Sequence, residues 1–245
     1  MLSNDRVNEF HQQGFTIVRE IFSREYVENL ADIAEKCTSG SLLPDLRQMD
    51  KFQDISRELT LQYDKTGHPY SASRLCHLYS IFKQHSLSPN IVNCAEQLLG
   101  GSVSVYGDTF QNKSPIEGHS LQVHQDHAYY KPFTDSPMVA CWLALDDATI
   151  QSGCVEYLPN SHLSLLPHKQ GTFLPLALEE SLFQSSAFVK AEVNAGDCVF
   201  HHSFAVHRSG PNTSPRPRRA LMTVYVLQSA QKNLSVCGAY PPFSD

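Results

Sequence analysis

The residues best suited to chemistry lie in the second half of the chain. The stretch LQVHQD sets His124 and Asp126 two positions apart. On a β-strand that spacing turns both side chains to one face. An imidazole nitrogen and a carboxylate oxygen placed side by side can occupy two adjacent corners of a metal octahedron. A second histidine from another strand would complete a facial triad, the ligand set of non-haem Fe(II) oxygenases, with positions left open. The segment CVFHHSFAVHRSG offers His201, His202 and His207 for that place. Beyond it, the turn-rich SGPNTSPRP leads into RRALMTVYV. A hairpin there would set Arg218 or Arg219 beside His207 across the ladder. A guanidinium grips a carboxylate with two parallel hydrogen bonds, which a lysine cannot do. Metal triad and arginine together are what an iron-chelating dicarboxylate requires. Each signal alone is weak, since H-x-D arises by chance, a strand histidine is most often structural, and an RPRR run is usually a solvated loop. The combination is specific.

Side chains far apart in the chain can converge only on a strand-rich framework, and the residues after Gly101 have that texture. Short runs rich in β-branched and aromatic residues occupy 102–106, 109–113, 121–125, 138–145, 153–158, 188–193, 197–207 and 219–227. Turn residues separate them, as in DSP, QSG, NAGD and GPNTSP. Before Gly101 the pattern is helical. A short helix over 5–13 ends before Gly14, and 15–18 reads as a strand. Ser23 caps an amphipathic helix over 24–37 whose Val27, Leu30, Ala31 and Ala34 recur at helical spacing. Pro89 opens a further helix, closed by Gly100-Gly101. Residues 40–85 are polar and poorly periodic, and no element is assigned there. Helices first and strands afterwards predict a mainly β protein, with helices outside an antiparallel barrel or sandwich. One domain is expected over 1–245, its helical part about 1–100 and its β core about 101–230.

Composition narrows the function. The chain has 245 residues, 19 Lys+Arg against 25 Asp+Glu, and 41% hydrophobic residues. A net charge of −6 argues against non-specific nucleic-acid binding, which depends on neutralising phosphates. No apolar run reaches the length of a membrane span, and MLSNDRVNEF lacks the apolar stretch of a secretory signal. The seven cysteines are odd in number, and none forms a C-x-x-C pair. They read as buried thiols of a cytoplasmic protein rather than a disulfide framework.

The segments HQDHAYYKPF, WLALDDATIQSGC, LPNSH and GDCVFHHSFAVHRSGPNTSPRPRRA together resemble the phytanoyl-CoA dioxygenase family of Fe(II)- and 2-oxoglutarate-dependent oxygenases. The opening FHQQGFTIVREIFSREYVENL is similar too, so the likeness covers nearly the whole chain apart from 40–85. The resemblance implies a double-stranded β-helix (jelly-roll, cupin-like) core with flanking N-terminal helices. It places the metal ligands on His124, Asp126 and His207, favouring His207 over His201 and His202. Arg218, preferred over Arg219, and Ser209 would hold the distal carboxylate of 2-oxoglutarate, with Trp142, Thr109 and Gln111 lining the cosubstrate. One position departs from the pattern: Asn160 stands where the family has the glycine of a P-G-S-H turn. Asparagine tolerates a left-handed backbone, so the turn is expected to survive.

By the same resemblance, O2 would be consumed with 2-oxoglutarate, releasing succinate and CO2 while an unactivated C–H of a small metabolite is hydroxylated. Ascorbate would serve as a supporting reductant. A carboxylate at position 126 argues for hydroxylation, desaturation or epoxidation over halogenation. Lys113, His127, Tyr129 and Tyr130 are candidate substrate contacts, Lys131 and Phe133 belong to the same loop after H-x-D, Lys113, Lys131 and Arg216 could meet an anionic substrate, and 40–85 is a candidate lid. Two rival readings stand: a zinc-dependent hydrolase, which would have no need of Arg218, and a non-catalytic jelly-roll binding protein. The substrate's identity and the oligomeric state are not legible.

Overall fold

The structure, a computed structural model, describes residues 1–44, 59–64, 67–116, 118–132 and 134–233. The described strands form two antiparallel sheets, and the sequence pattern says why. The larger sheet runs β1 (Phe15–Val18), β9 (Cys198–His202), β6 (Met138–Ala144), β11 (Arg218–Leu227), β4 (Val103–Lys113), β3 (Pro69–Ser73), β2 (Thr60–Tyr63). The smaller runs β5 (Leu121–His124), β10 (His207–Ser209), β7 (Val155–Tyr157), β8 (Val189–Ala191). This is a jelly-roll core.

Every residue of β6, MVACWLA, is buried. Its alternate side chains are buried on opposite faces of the sheet, because successive residues of a strand face opposite ways. Cys141 and Leu143 join the outer cluster with Phe110, Phe200, Leu221 and Tyr225. Helices α1 (Asn4–Gln13), α2 (Arg24–Thr38) and α5 (Pro89–Leu99) close that cluster through Phe10, Leu30 and Ile91. Trp142 and Ala144 point the other way and meet Val155, Tyr157 and Ala191 of the smaller sheet. Large side chains buried in this way stabilise the fold by about 1.5–3 kcal/mol each.

The helix ends follow the capping residues. Ser3 and Ser23 accept from Arg6 N and Tyr26 N, and Gly14 and Gly100 close α1 and α5 in left-handed conformation. Asn160 adopts φ 62°, the left-handed turn expected of it. The six described cysteines are buried and form no disulfide among the described residues, and Cys237 lies outside the described residues. No helix among the described residues is long and apolar enough to cross a membrane.

Three differences from the sequence reading matter. Segment 40–85 holds β2, β3, α3 (Leu75–Leu78) and α4 (Ser80–Ser86), although 45–58 and 65–66 lie outside the described residues. These elements are four to seven residues long, too short for periodicity to show. With β1, they also make the first hundred residues a supplier of strands to the larger sheet as well as of helices. Third, β10 and β11 form no hairpin. β10 pairs with β5 and β7, while β11 pairs with β4 and β6. The segment 210–217 carries the chain from one sheet to the other, so Arg218 faces His207 across the sandwich rather than across a ladder.

Gly153 keeps that crossover in place. At φ 75°, an added Cβ would stand 2.5 Å from the Gly210 carbonyl oxygen and 2.9 Å from that of Pro211. Gly153→Ala is therefore expected to destabilise the protein by about 1–3 kcal/mol. A thermal melt indistinguishable from wild type would contradict the close approach.

Candidate metal centre

His124 ends β5 and His207 opens β10, and the two are direct partners in the antiparallel register. Their ring centroids are 4.2 Å apart. His124 Nδ1 bonds the Gln122 carbonyl at 2.7 Å, and His207 Nδ1 bonds that of Ala205 at 3.0 Å. A carbonyl only accepts, so each Nδ1 carries the proton and each Nε2 keeps its lone pair for the cavity. Burial, with His124 alongside, pushes His207 down to about 3, which leaves its imidazole neutral and able to ligate.

Asp126 reaches the same place by a route the period-two argument misses. The strand stops at His124, and Asp126 has helical dihedrals at the start of α6 (His127–Tyr130). What aims it is the anchoring of Gln125. That side chain donates to the Ser164 and Phe204 carbonyls and accepts from Leu166 N. Asp126 Oδ1 then lies 3.5 Å from His124 Nε2 and 3.6 Å from His207 Nε2. Burial works against the charge on Asp126, but the three surrounding histidines outweigh it and hold the carboxyl well below its usual range. One ligand atom from each of His124, Asp126 and His207 lies within 4.8 Å of the others, and all three residues are buried.

Arg218 begins β11 and is 1% exposed, with its guanidinium 5.3 Å from the Trp142 ring centroid. Arg219, next along the strand, points away and forks onto Asp146 with two 2.8 Å bonds. Strand alternation thus decides between the two arginines. Arg218 Nε and Nη1 and the buried Ser209 Oγ have no hydrogen-bond partner among the described residues. Orphaned buried donors cost stability, and an incoming carboxylate would satisfy them. Burial lowers Arg218 only to about 10, so it stays cationic at neutral pH. The Trp142 indole N–H donates to Gln111 Oε1 at 3.0 Å, which fixes the Gln111 amide at the wall of the same cavity. His124, Asp126, His207, Arg218, Ser209, Trp142 and Gln111 all line it. The donor set fits an oxygen-loving divalent ion and, beside it, a dicarboxylate.

The remaining candidates are distributed differently. Thr109 bonds Ser73 Oγ at 3.1 Å and is not brought to this cavity. Lys113 is 2% exposed, directly opposite Arg218 in the ladder, and donates to the Gly210 carbonyl. Burial and Arg218 lower its pKa strongly. It lies with the arginine, in an adjoining recess that also includes Tyr70, His119 and His124. His127 is buried against Ser203 and Phe204. Tyr130 packs edge-on to Tyr106, and Tyr129 lies edge-on to His124 with its hydroxyl on the Leu176 carbonyl at 2.7 Å. Lys131 pairs with Asp135, and Phe133 lies outside the described residues. Sequence reasoning gave no role to Tyr157 or Gln125 and weighed His201 only as a metal ligand. His201 touches Asp126, Tyr157 touches His201, and Gln125 holds the turn. The chemical types of His201 and Gln125 were visible; their contacts across sheets were not.

A family model described as phytanoyl-CoA dioxygenase matches residues 10–220. A phytanoyl-CoA dioxygenase domain-containing protein 1 homolog of Dictyostelium discoideum is 30% identical, the match covering 89% of each chain. A methylphosphonate hydroxylase of Gimesia maris is 24% identical over 91% of this chain and 80% of the relative. Among solved structures, the non-heme alpha ketoglutarate dependent carbocyclase SnoK from nogalamycin biosynthesis superposes with a TM-score of 0.73 at 21% identity, covering 100% of this chain and 94% of the other.

Proposed function

The chain belongs to the phytanoyl-CoA dioxygenase family, and from that premise we propose that it hydroxylates an unactivated C–H of a small molecule at the centre formed by His124, Asp126 and His207. It is an Fe(II)- and 2-oxoglutarate-dependent oxygenase. The observation that most supports the site assignment is the meeting of the three buried ligand atoms within 4.8 Å beside an arginine with unbonded Nε and Nη1. Bound Fe(II) and 2-oxoglutarate would supply the oxidising chemistry, coupling reduction of O2 and cleavage of the keto acid to succinate and CO2 with transfer of oxygen to a substrate carbon.

The protein's own residues do the rest. His124 and His207 offer neutral Nε2 atoms, each set by a backbone carbonyl behind the ring, and Asp126 supplies the negative charge. Arg218 and Ser209 take the distal carboxylate, which orients the keto acid's other end toward the ion. Gln111, held by Trp142, donates to the cosubstrate. Apolar neighbours such as Val155 and Met222 keep water from that end of the cavity. Tyr129 lies edge-on to His124, and a substrate would be held in the adjoining recess lined by Tyr70, His119 and His124. One catalytic domain across 1–245 and a cytoplasmic location are part of the same reading, the latter supported by six buried cysteines that form no disulfide among the described residues.

Under air, with Fe(II), 2-oxoglutarate and ascorbate, the protein is expected to release succinate slowly even without its substrate. Adding a metabolite pool should speed this, with one compound gaining a single oxygen by mass spectrometry. Iron-loaded protein that never turns over 2-oxoglutarate would leave a binding protein in place of the enzyme.

A further inference from the structure

The two carboxylate oxygens of Asp126 have different company. Oδ1 faces the Nε2 atoms of His124 and His207, at 3.5 and 3.6 Å. Oδ2 lies 2.9 Å from His201 Nε2, and the Tyr157 hydroxyl lies 3.0 Å from His201 Nδ1. These contacts join three separate strands or turns. His201 comes from β9 of the larger sheet, Tyr157 from β7 of the smaller, and Asp126 from the turn after β5.

Both supporting residues are at most 1% exposed, and Tyr157 stacks on Phe15 at 4.7 Å within an otherwise apolar cluster. An imidazole and a phenol in such surroundings cost free energy unless their polar atoms are bonded. Here they are bonded, and to each other. The donors also run in one direction. A carboxylate accepts, so His201 Nε2 carries the proton and donates to Oδ2. In the tautomer with its proton on Nε2, Nδ1 is an acceptor, and the Tyr157 hydroxyl donates to it.

We propose that His201, oriented by Tyr157, is a positioning residue that keeps Asp126 a one-oxygen ligand. The proposal rests on the ligand assignment above. Its value follows from counting positions around an octahedral ion. Two imidazoles and one carboxylate oxygen take three positions, a chelating keto acid takes two, and one remains for dioxygen. Were Oδ2 free to swing in as a second ligand, that last position would be lost. A hydrogen bond on Oδ2 opposes the swing and also holds the carboxylate where the imidazoles need it.

The test uses the full-length protein under anaerobic conditions, titrated with Fe(II), and with Co(II) as a spectroscopic stand-in whose visible absorption reports coordination. His201→Phe keeps the ring volume and removes the donor. It is expected to weaken metal affinity about 10- to 100-fold, the range for loss of a hydrogen bond to a ligand, and to alter the Co(II) bands. His201→Gln, whose side-chain amide can still donate to Oδ2, should recover most of the affinity and the wild-type spectrum. Tyr157→Phe should shift both in the same direction but less. A His201→Phe protein with wild-type affinity and spectrum would overturn the proposal, as would a His201→Gln protein no better than the Phe variant. If His201→Phe fails to fold, unchanged affinity and spectrum in Tyr157→Phe overturn it instead. Wild-type protein that binds neither ion would sink the ligand assignment itself, whereas variants that match a metal-binding wild type sink only the role given to His201.

Discussion

Asp126→Ala is expected to bind Fe(II) more than about 100-fold more weakly than wild type, and to release succinate at the background rate. Loss of hydrogen-bond partners one step behind a metal already costs about 10- to 100-fold in affinity. A residue in contact with the ion must cost more, and Asp126 contributes the only negative charge among the three ligands. The neutral imidazoles of His124 and His207 would remain, and two nitrogen ligands without a carboxylate compete poorly with water for Fe(II). Asp126→Asn separates charge from shape, because the amide keeps the volume and one acceptor oxygen. It should bind metal nearly as poorly as the alanine variant. Equilibrium titration under anaerobic conditions checks both, and full succinate release by either variant would remove Asp126 from the site.

Arg218→Ala is expected to leave metal binding nearly intact and to weaken 2-oxoglutarate binding by at least about 2 kcal/mol, roughly thirty-fold. The basis is the set of buried donors around one point, Arg218 Nε and Nη1 and Ser209 Oγ, which have no hydrogen-bond partner among the described residues. Arg218→Lys should fall between, because a single ammonium replaces a planar fork. The loss should appear in KM for 2-oxoglutarate far more than in kcat at saturating cosubstrate, since the reacting end of the keto acid is unchanged. The same variant separates the rival chemistry. A zinc-bound water attacking an ester or amide needs nothing from Arg218, so hydrolysis would persist unaltered.

Parts of this protein could be read from local chemistry alone. Ser3, Ser23, Pro89 and the two left-handed glycines mark helix ends because capping is settled within a turn of the chain. Most strands after Gly101 were visible as apolar runs, and Asn160 could be expected in a left-handed turn from its side chain. Segment 40–85 resisted because α3 and α4 are too short to repeat a pattern. The pairing of β10 was misjudged because a turn-rich linker looks the same whether it closes a hairpin or crosses between sheets.

The candidate ligands divide in the same way. His124, Asp126, His207 and Arg218 could be named from residue type, spacing and family likeness, since metal and carboxylate chemistry admits few side chains. Their convergence belongs to tertiary structure. His124 meets His207 only because β5 and β10 are ladder partners, and Asp126 joins them only because Gln125 is tied to the Ser164 and Phe204 carbonyls. The bond of His201 and Tyr157 to the carboxylate was invisible for a general reason. Hydrogen bonds between residues 75 and 44 positions apart depend on which faces of two sheets meet, and no local pattern in either strand records its opposite.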